Sequence, residues 1–161
     1  MHTTIVSTDL LASHLDDWAI VDCRFDLQNE HWGRDQHRLA HIPGAVYASL
    51  NADLSGPPGP GNGGRHPLPA IDALAATLGR LGIDRTTQVV AYDQDAGSYA
   101  SRLWWLLRYL GHDASAVLDG GWAKWLREGK PTRSGDETRQ AAAFTPSPRL
   151  EWRVAIDEVI A

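Results

Sequence analysis

The chain has 161 residues, 43% of them hydrophobic, which suits one domain with a core of its own. Fifteen Lys and Arg residues against twenty Asp and Glu residues give a formal net charge of -5, and no basic stripe with interleaved aromatic residues stands out, so nucleic acid is not expected as a partner. A single cysteine excludes an internal disulfide and any Cys-x-x-Cys metal or redox site.

The sequence predicts neither a membrane segment nor a leader. Met1 to Asp9 lacks a basic region followed by an apolar one, and the longest apolar run, Leu103 to Leu107, is too short to cross a bilayer. We therefore expect a cytoplasmic protein with no membrane partner.

Strand and helix signals alternate along the whole chain. Short apolar runs predict strands at residues 5–7, 18–23, 46–48, 89–92 and 114–118. Capping residues and helical spacing predict helices from Ser7 or Thr8 to Leu15, within residues 24–40, and at 69–81, 100–110 and 122–127. Such alternation implies βα units. The predicted fold class is therefore α/β, with a central, mainly parallel five-stranded sheet and helices on both faces.

Proline, glycine and small polar residues mark the segments between these elements. Pro69 is predicted in the first turn of its helix, and Gly82 is predicted to close that helix. The loop at residues 56–67 (GPPGPGNGGRHP) has no helix or strand signal and is expected on the surface. Residues 130–148 shift to Ser, Thr, Pro and Ala, as in a linker or a surface arm.

The segment from Gln88 to Leu110 joins a buried strand to a core helix through a short polar turn. The turn at residues 93–97 (DQDAG) lies where open α/β sheets bind ligands, and its N–H groups are expected to point into a bowl at the start of the helix. Asp93 and Asp95 place two carboxylates there, which would repel an anion and cannot form a persulfide or thioester.

Two further predictions concern the residues around this turn. Arg102 is expected to pair with a carboxylate of the turn, Asp93 or Asp95. Four tryptophans, at helical spacing in apolar surroundings, are expected in core or interdomain packing rather than in a cofactor box: Trp104, Trp105, Trp122 and Trp125.

The C-terminus repeats a pattern of the N-terminus. Residues 154–161 (VAIDEVIA) share a V-x-x-D pattern and the apolar residues after it with residues 6–12 (VSTDLLA). We interpret this echo as the start of a second copy of the domain.

Five segments, in this order, resemble a rhodanese domain: VDCRFDL (21–27), HIPGAVY (41–47), GRHPLP (64–69), VVAYDQDAGSYASRLWWLLRYLGH (89–112) and LDGGWAKWLREGKP (118–131). More narrowly, the chain resembles the N-terminal half of the two-domain thiosulfate and 3-mercaptopyruvate sulfurtransferases over nearly all of Thr3 to Pro131. The resemblance implies a rhodanese-like domain at residues 1–131, a linker or arm at 132–152, and the apparent start of a second rhodanese domain at 153–161.

The resemblance also implies what the turn should contain. In that family a cysteine at the first turn position takes sulfur from a donor as a persulfide and passes it to cyanide or a thiol. The matching position here is Asp93, so the chain alone is expected to be inactive in sulfur transfer. The degenerate active-site loop comprises Asp93, Gln94, Asp95, Ala96, Gly97 and Ser98.

A chain of this kind corresponds to the silent half of the tandem enzymes. The implied partner is a cysteine-bearing second rhodanese domain, in cis or in trans, whose active site this half packs against and completes. A small sulfur-donor anion is implied when that domain is present. No metal or cofactor is implied.

Arg65 and His66 are the candidate substrate-binding residues. In two-domain relatives this loop lies near the domain interface, so the resemblance implies that His66 orients substrate or tunes a proton and that Arg65 attracts the sulfonate or carboxylate of the donor. The acidic residue that supports such a histidine in mercaptopyruvate-specific relatives corresponds to Asn51 here, with Asp53 close by. The alternative is an exposed polar loop without a catalytic role.

Three other patterns admit different chemistry. Cys23, in a predicted buried strand, is expected to be structural rather than a sulfur carrier. Asp93 and Asp95 form a D-x-D motif like that of haloacid dehalogenase-like phosphatases, but the downstream lysine and acidic pair are not evident. His37 and His41 have the spacing of metal ligands on one helix face, yet a third ligand is not apparent.

One alternative at the level of function stays open. It is a stand-alone regulatory or binding rhodanese-like module, which would use the Asp-lined bowl to hold a cation or the basic tip of a partner.

Overall fold

The computed structural model describes residues 1–59, 64–154 and 158–159. The strands are β1 (Ile5–Val6), β2 (Ala19–Asp22), β3 (Val46–Tyr47), β4 (Val89–Tyr92) and β5 (Ser115–Leu118). The helices are α1 (Thr8–Ala12), α2 (Trp32–Leu39), α3 (Ile71–Arg80), α4 (Ala100–Tyr109) and α5 (Gly121–Arg127), followed by a 3-10 turn at Leu150–Trp152. Their order is the order predicted from the sequence.

All five strands join one parallel sheet, in the order β1-β5-β4-β2-β3. Val21 of β2 pairs with Val46 of β3 and with Ala91 of β4, which in turn pairs with Val117 of β5. Parallel neighbours need crossover connections, and a helix lies in each one. The predicted α/β fold with a five-stranded parallel sheet and helices on both faces is confirmed.

Each central strand contributes to two cores, because successive side chains point to opposite faces of the sheet. On one face Val21 packs in a cluster with residues of α3 and α4. On the other face Ile20 packs in a cluster with residues of α1 and α5, where Trp125 is fully buried. The continuous apolar runs of β2 and β4 reflect this double burial.

Two helix limits differ from the prediction by more than one residue. The first helix ends at Ala12 instead of Leu15, although Ser7 caps it as predicted by accepting the backbone N–H of Leu10 at 3.2 Å. The third helix begins at Ile71, so Pro69 precedes it rather than standing in its first turn. The residue directly before the helix, Ala70, has φ -60° and ψ 142°, which is not a helical conformation.

The segment after α5 is packed against the domain as an arm. Phe144 is only 9% exposed and belongs to the core under α3 and α4. The backbone N–H of Ala142 donates to Gly79 O at 2.9 Å, and that of Ser147 donates to Leu110 O at 2.8 Å. The arm therefore crosses the C-terminal ends of both helices.

Glycines at these helix ends allow the close approach of the arm. A Cβ added at Gly79 would lie 2.6 Å from Ala142 O, and one added at Gly111 would lie 2.5 Å from Ser147 O. Both distances are shorter than real Cβ atoms tolerate, so the path of the arm requires glycine at these two positions.

The C-terminal echo at residues 154–161 falls mostly outside the described residues, since only residues 154, 158 and 159 of it are described. Among the described helices, none has the length and apolar character needed to cross a bilayer.

Candidate functional site

The carboxyl ends of β2 and β4 lie side by side at the point where the strand order reverses. From β2 the chain continues outward to β3, and from β4 it continues outward to β5. Open α/β sheets bind their ligands at such a switch point. The loop at residues 93–98 follows β4 at this point, and Cys23 follows β2.

Both carboxylate oxygens of Asp93 are enclosed by backbone N–H groups. Oδ1 accepts from Asp95 and Gly97 at 3.0 Å each, and Oδ2 accepts from Tyr99 at 2.7 Å and Ala100 at 3.1 Å. The side chain is only 1% exposed. The bowl of amides inferred from the sequence is formed, and the occupant is a carboxylate of the loop itself, because amides at a helix start attract negative charge.

The loop is also held from outside. The Gln94 side chain donates to Phe25 O at 2.9 Å and accepts from Phe25 N at 3.3 Å. At the start of α5, the N–H groups of Trp122 and Ala123 donate to Asp93 O at 2.8 Å and Gln94 O at 3.2 Å. The loop is thereby fastened to the ends of two other elements. Its exposed residues are Asp95, Ala96 and Ser98.

Arg102 does not pair with Asp93 or Asp95, so the sequence-based expectation for this residue was wrong. Its guanidinium donates instead to three backbone carbonyls, those of Leu54 (2.8 Å), His66 (3.0 Å) and Pro67 (3.0 Å). The buried carboxylate needs no cation because amides already surround it. Arg102 therefore holds residues 66–67 against the first turn of α4.

His66 lies near the loop, with Phe25 between them. Its ring meets the ring of Phe25 edge to face, with the centroids 6.1 Å apart. Its Nε2 lies 2.9 Å from Oδ1 of Asn51, the residue that by the family resemblance takes the place of the supporting acidic residue. Burial, with the positive charges of Arg102 and Arg65, lowers the pKa of His66 below its ordinary value.

Arg65 is exposed and borders a shallow cavity of about 320 Å³. One of its guanidinium nitrogens donates to Leu27 O at 2.6 Å. The cavity is lined by Glu30, Asn51, Ser55, Gly56, Pro58 and Arg65. The structure thus brings Arg65 and His66 to the same end of the sheet as the loop, with Asn51 between His66 and the cavity.

Cys23 is buried under the site. It is 1% exposed, and burial together with the negative charges of Asp22, Asp93 and Asp53 raises the pKa of its thiol well above the ordinary value. Since the thiolate is the reactive form, this environment suppresses nucleophilic chemistry. These features favour the structural interpretation of the only cysteine.

A buried ionic cluster, which the sequence analysis missed, stands beside Cys23. The two oxygens of Asp22 share the single Nε–H of Arg24, at 3.0 Å each, and one of them accepts from Arg24 Nη2 at 2.6 Å. His37 at 3.0 Å and the Tyr92 hydroxyl at 2.9 Å also donate to this carboxylate. Burial alone would raise the pKa of Asp22, but the bonds from His37 and Arg24 outweigh it and lower the pKa. The spacing of Asp22 and Arg24, two apart at a strand end, could have indicated this pair.

His37 and His41 are placed for packing within the protein. Their rings stack with centroids 4.1 Å apart. Nδ1 of His37 donates to Asp22, and Nδ1 of His41 donates to the backbone carbonyl of His37 at 2.7 Å. The spacing that suggested metal ligands therefore serves a stacked pair at the end of α2.

The two residues of the D-x-D motif do not converge. Asp93 is buried with both oxygens occupied, whereas Asp95 is exposed. Lys124 forms an ion pair with Asp119, and Lys130 forms one with Asp9. A phosphatase nucleophile needs a reachable carboxylate with its Mg²⁺ and lysine beside it, and this arrangement lacks that geometry.

Comparison with known proteins identifies the family. The profile of the Rhodanese-like domain matches residues 7–128, three quarters of the chain. The chain belongs to the rhodanese-like domain family. Solved structures similar to this rhodanese domain include SseA of Escherichia coli, described as a 3-mercaptopyruvate sulfotransferase (28% identity, TM-score 0.86, 99% of this chain and 61% of that one), and 3-mercaptopyruvate sulfurtransferase of Leishmania major (29% identity, TM-score 0.80, 91% and 40%).

Sequence relatives of this rhodanese domain are sulfurtransferases. A probable 3-mercaptopyruvate sulfurtransferase of Pseudomonas aeruginosa is 39% identical over 147 residues, which cover 89% of this chain and 52% of the relative. The human 3-mercaptopyruvate sulfurtransferase is 40% identical over 119 residues, which cover 70% of this chain and 38% of the relative. The chain spans about half the length, or less, of these relatives.

Proposed function

We propose that this rhodanese domain is the non-catalytic half of a sulfurtransferase. It would pack against a second, cysteine-bearing rhodanese domain and complete the active site of that domain. Sulfane sulfur would pass from thiosulfate or 3-mercaptopyruvate, through the cysteine of the partner, to cyanide or a thiol acceptor.

The observation that carries the proposal is the state of Asp93. By resemblance it stands where active members of the family have cysteine, and a carboxylate holds no transferable sulfur. Four backbone amides bind its two oxygens, so the cradle that would stabilise an anionic persulfide is already occupied. Such a loop supports a structural role rather than a catalytic one.

The lengths of the relatives support a partner domain in the same polypeptide. The alignment with the Pseudomonas aeruginosa protein covers 52% of that protein, which leaves nearly half of it unmatched. A second domain of similar size would fit in that remainder.

The site residues of this half would act at the interface. His66 has a lowered pKa and is therefore neutral at physiological pH, which suits it to accept a hydrogen bond or a proton. Arg65 is exposed beside it and would attract the negative charge of the donor.

The first experiment uses this chain alone. It is treated with thiosulfate or 3-mercaptopyruvate, and thiocyanate formation from cyanide is followed together with the mass of the protein. We expect no turnover above background and no sulfur adduct. A sulfur adduct on the chain would contradict the assignment of a silent half.

The second experiment adds the part of the Pseudomonas aeruginosa relative that this chain does not match, which by the proposal carries the cysteine, either fused to this chain or mixed with it. We expect this chain to raise the kcat/KM of that half, and the fused His66→Ala variant to lose about tenfold or more of that value. The control is His14→Ala, a histidine before β2 at the opposite end of the sheet. Equal turnover with and without this chain would contradict the proposal and favour a stand-alone binding module.

A further inference from the structure

Three residues from separate parts of the chain form a hydrogen-bonded row that ends at His66. Nδ2 of Asn51, after β3, donates to Oε2 of Glu30, before α2, at 3.3 Å. Oδ1 of Asn51 lies 2.9 Å from Nε2 of His66. Glu30 is thus connected to the histidine through one amide.

The chemistry of the row fixes where its protons are. An ionised carboxylate only accepts hydrogen bonds, so Glu30 selects the NH2 group of Asn51. The carbonyl oxygen of that amide then faces His66, and it too is only an acceptor. Nε2 of His66 must therefore carry the proton, and Nδ1 must carry the lone pair.

We propose that Glu30 is a positioning residue that acts through Asn51 to hold His66 as the Nε2–H tautomer, with Nδ1 presented as the proton acceptor of the sulfurtransferase site. The use of His66 in that site rests on the proposed function. The tautomer itself does not, because it can be measured on this chain alone.

The charges around His66 fit a neutral ring. Arg65 precedes it in the loop, Arg102 of α4 binds its carbonyl oxygen, and Glu30 reaches it only through Asn51. Burial and the two arginines lower its pKa. An amide partner, unlike a carboxylate, gives an imidazolium no ionic stabilisation. Asn51 therefore orients the ring without favouring its protonated form.

The test of the row is a long-range 1H–15N correlation spectrum of the histidine side chains, recorded over a pH titration. In the parent chain we expect His66 as the Nε2–H tautomer, titrating below its ordinary value of 6.5. In Glu30→Gln the side-chain amide can donate or accept, so Asn51 can flip and the two tautomers should approach equal populations. Asn51→Asp should keep Nε2–H and raise the titration midpoint by about one pH unit or more.

Glu151→Gln is the matched control for Glu30→Gln. It removes an exposed carboxylate from the 3-10 turn near the C-terminus and should leave the His66 signals unchanged. An Nδ1–H tautomer in the parent, or an unchanged tautomer ratio in Glu30→Gln, would overturn the inference.

The kinetic arm uses the fusion with the cysteine-bearing second half. If Nδ1 is the acceptor, Glu30→Gln should lower kcat in proportion to the loss of the Nε2–H tautomer, about twofold at equal populations. A shifted tautomer with unchanged kcat, in a fusion that His66→Ala inactivates, would overturn the catalytic part. If the parent fusion shows no turnover, the proposed function fails, and the catalytic role of Nδ1 fails with it. The spectrum of this chain alone would still show whether Glu30 and Asn51 set the tautomer of His66.

Discussion

Oδ2 of Asp93 accepts the backbone N–H of Tyr99 at 2.7 Å, so the start of α4 binds an anion that belongs to the chain itself. The amides of Asp95 and Gly97, from the loop, bind the other oxygen. Loop and helix thereby share one buried charge, and they should lose order together if that charge is removed.

Replacement of Asp93 by Asn should destabilise the domain strongly. The NH2 group of asparagine cannot accept hydrogen bonds, so about two of the converging amides would face a donor instead of an acceptor. We expect a loss of about 2–4 kcal/mol in the free energy of unfolding, measured in urea at neutral pH. Asp95→Asn, in the same loop but exposed, should change it by no more than about 0.5 kcal/mol. Equal effects of the two substitutions would contradict the role assigned to Asp93.

The Asp93→Ala variant should recover stability from added anions. Removal of the carboxylate leaves four converging amides without a partner, and an inorganic anion such as sulfate can take its place. The gain in unfolding free energy, relative to the parent in the same salt, should reach about 1.4 kcal/mol at roughly tenfold excess over Kd. Asp95→Ala is the control, and an identical response of both variants would show only a general salt effect.

Cys23 should be unreactive in the native protein. Its thiol is buried, and burial with three neighbouring carboxylates holds its pKa well above the ordinary value. A thiol reagent at mildly alkaline pH should label it only after unfolding in urea. Ser98→Cys places a thiol on the exposed side of the loop and should react quickly under native conditions. Fast native labelling of Cys23 in the parent would reopen its role as a sulfur carrier.

Gly79→Ala should destabilise the protein although it lies in a helix. An ordinary exchange of this kind stabilises a helix by about 1 kcal/mol, but here the new Cβ would lie 2.6 Å from Ala142 O. We expect a net loss of about 1–3 kcal/mol in urea unfolding. Ala76→Gly, at an exposed position of the same helix, measures the difference in helix propensity between alanine and glycine. It should lower the free energy of unfolding by about 1 kcal/mol. If Gly79→Ala stabilised the protein, the arm could not lie in close contact with α3 at this position.

Protonation of His112 should lower the stability of the protein in mild acid. Burial lowers the pKa of His112 below its ordinary value of 6.5, and Nε2 lies 2.9 Å from Thr87 O. As the pH falls below 6.5, the unfolded chain therefore takes up this proton before the folded chain does. The contribution of His112 to the free energy of unfolding should be fully present above pH 6.5 and decline between 6.5 and the folded pKa. Urea unfolding at a series of pH values should show a shallower decline for His112→Gln than for the parent.

The element order could be predicted because each signal is local. Apolar runs mark the strands, and the change to helical spacing at Ala100 marks α4. The position of Pro69 was misjudged because a proline just before a helix and a proline in its first turn give the same sequence pattern, and only the backbone angles of Ala70 show where the helix begins.

The site was only partly predictable. The sequence places Asp93 at the turn, but a charged turn residue is ordinarily exposed, and only the folded loop shows the amides converging on it. The hydrogen-bond partners of Arg102 are backbone carbonyls, which every residue has, so the sequence cannot show which of them Arg102 binds. Glu30 was missed since it meets Asn51 across 21 residues of chain.

The arm determines how this chain can be divided. The arm lies too close to Gly79 and Gly111 for a side chain at either position, and Phe144 packs in the core. Residues 132–149 therefore belong to the same folding unit as the helices they cross. A recombinant fragment that stops at Pro131 would uncover apolar side chains of α3 and α4 and should be recovered as aggregate. A useful expression boundary therefore lies beyond Arg149, whose ion pair with Asp113 fastens the end of the arm.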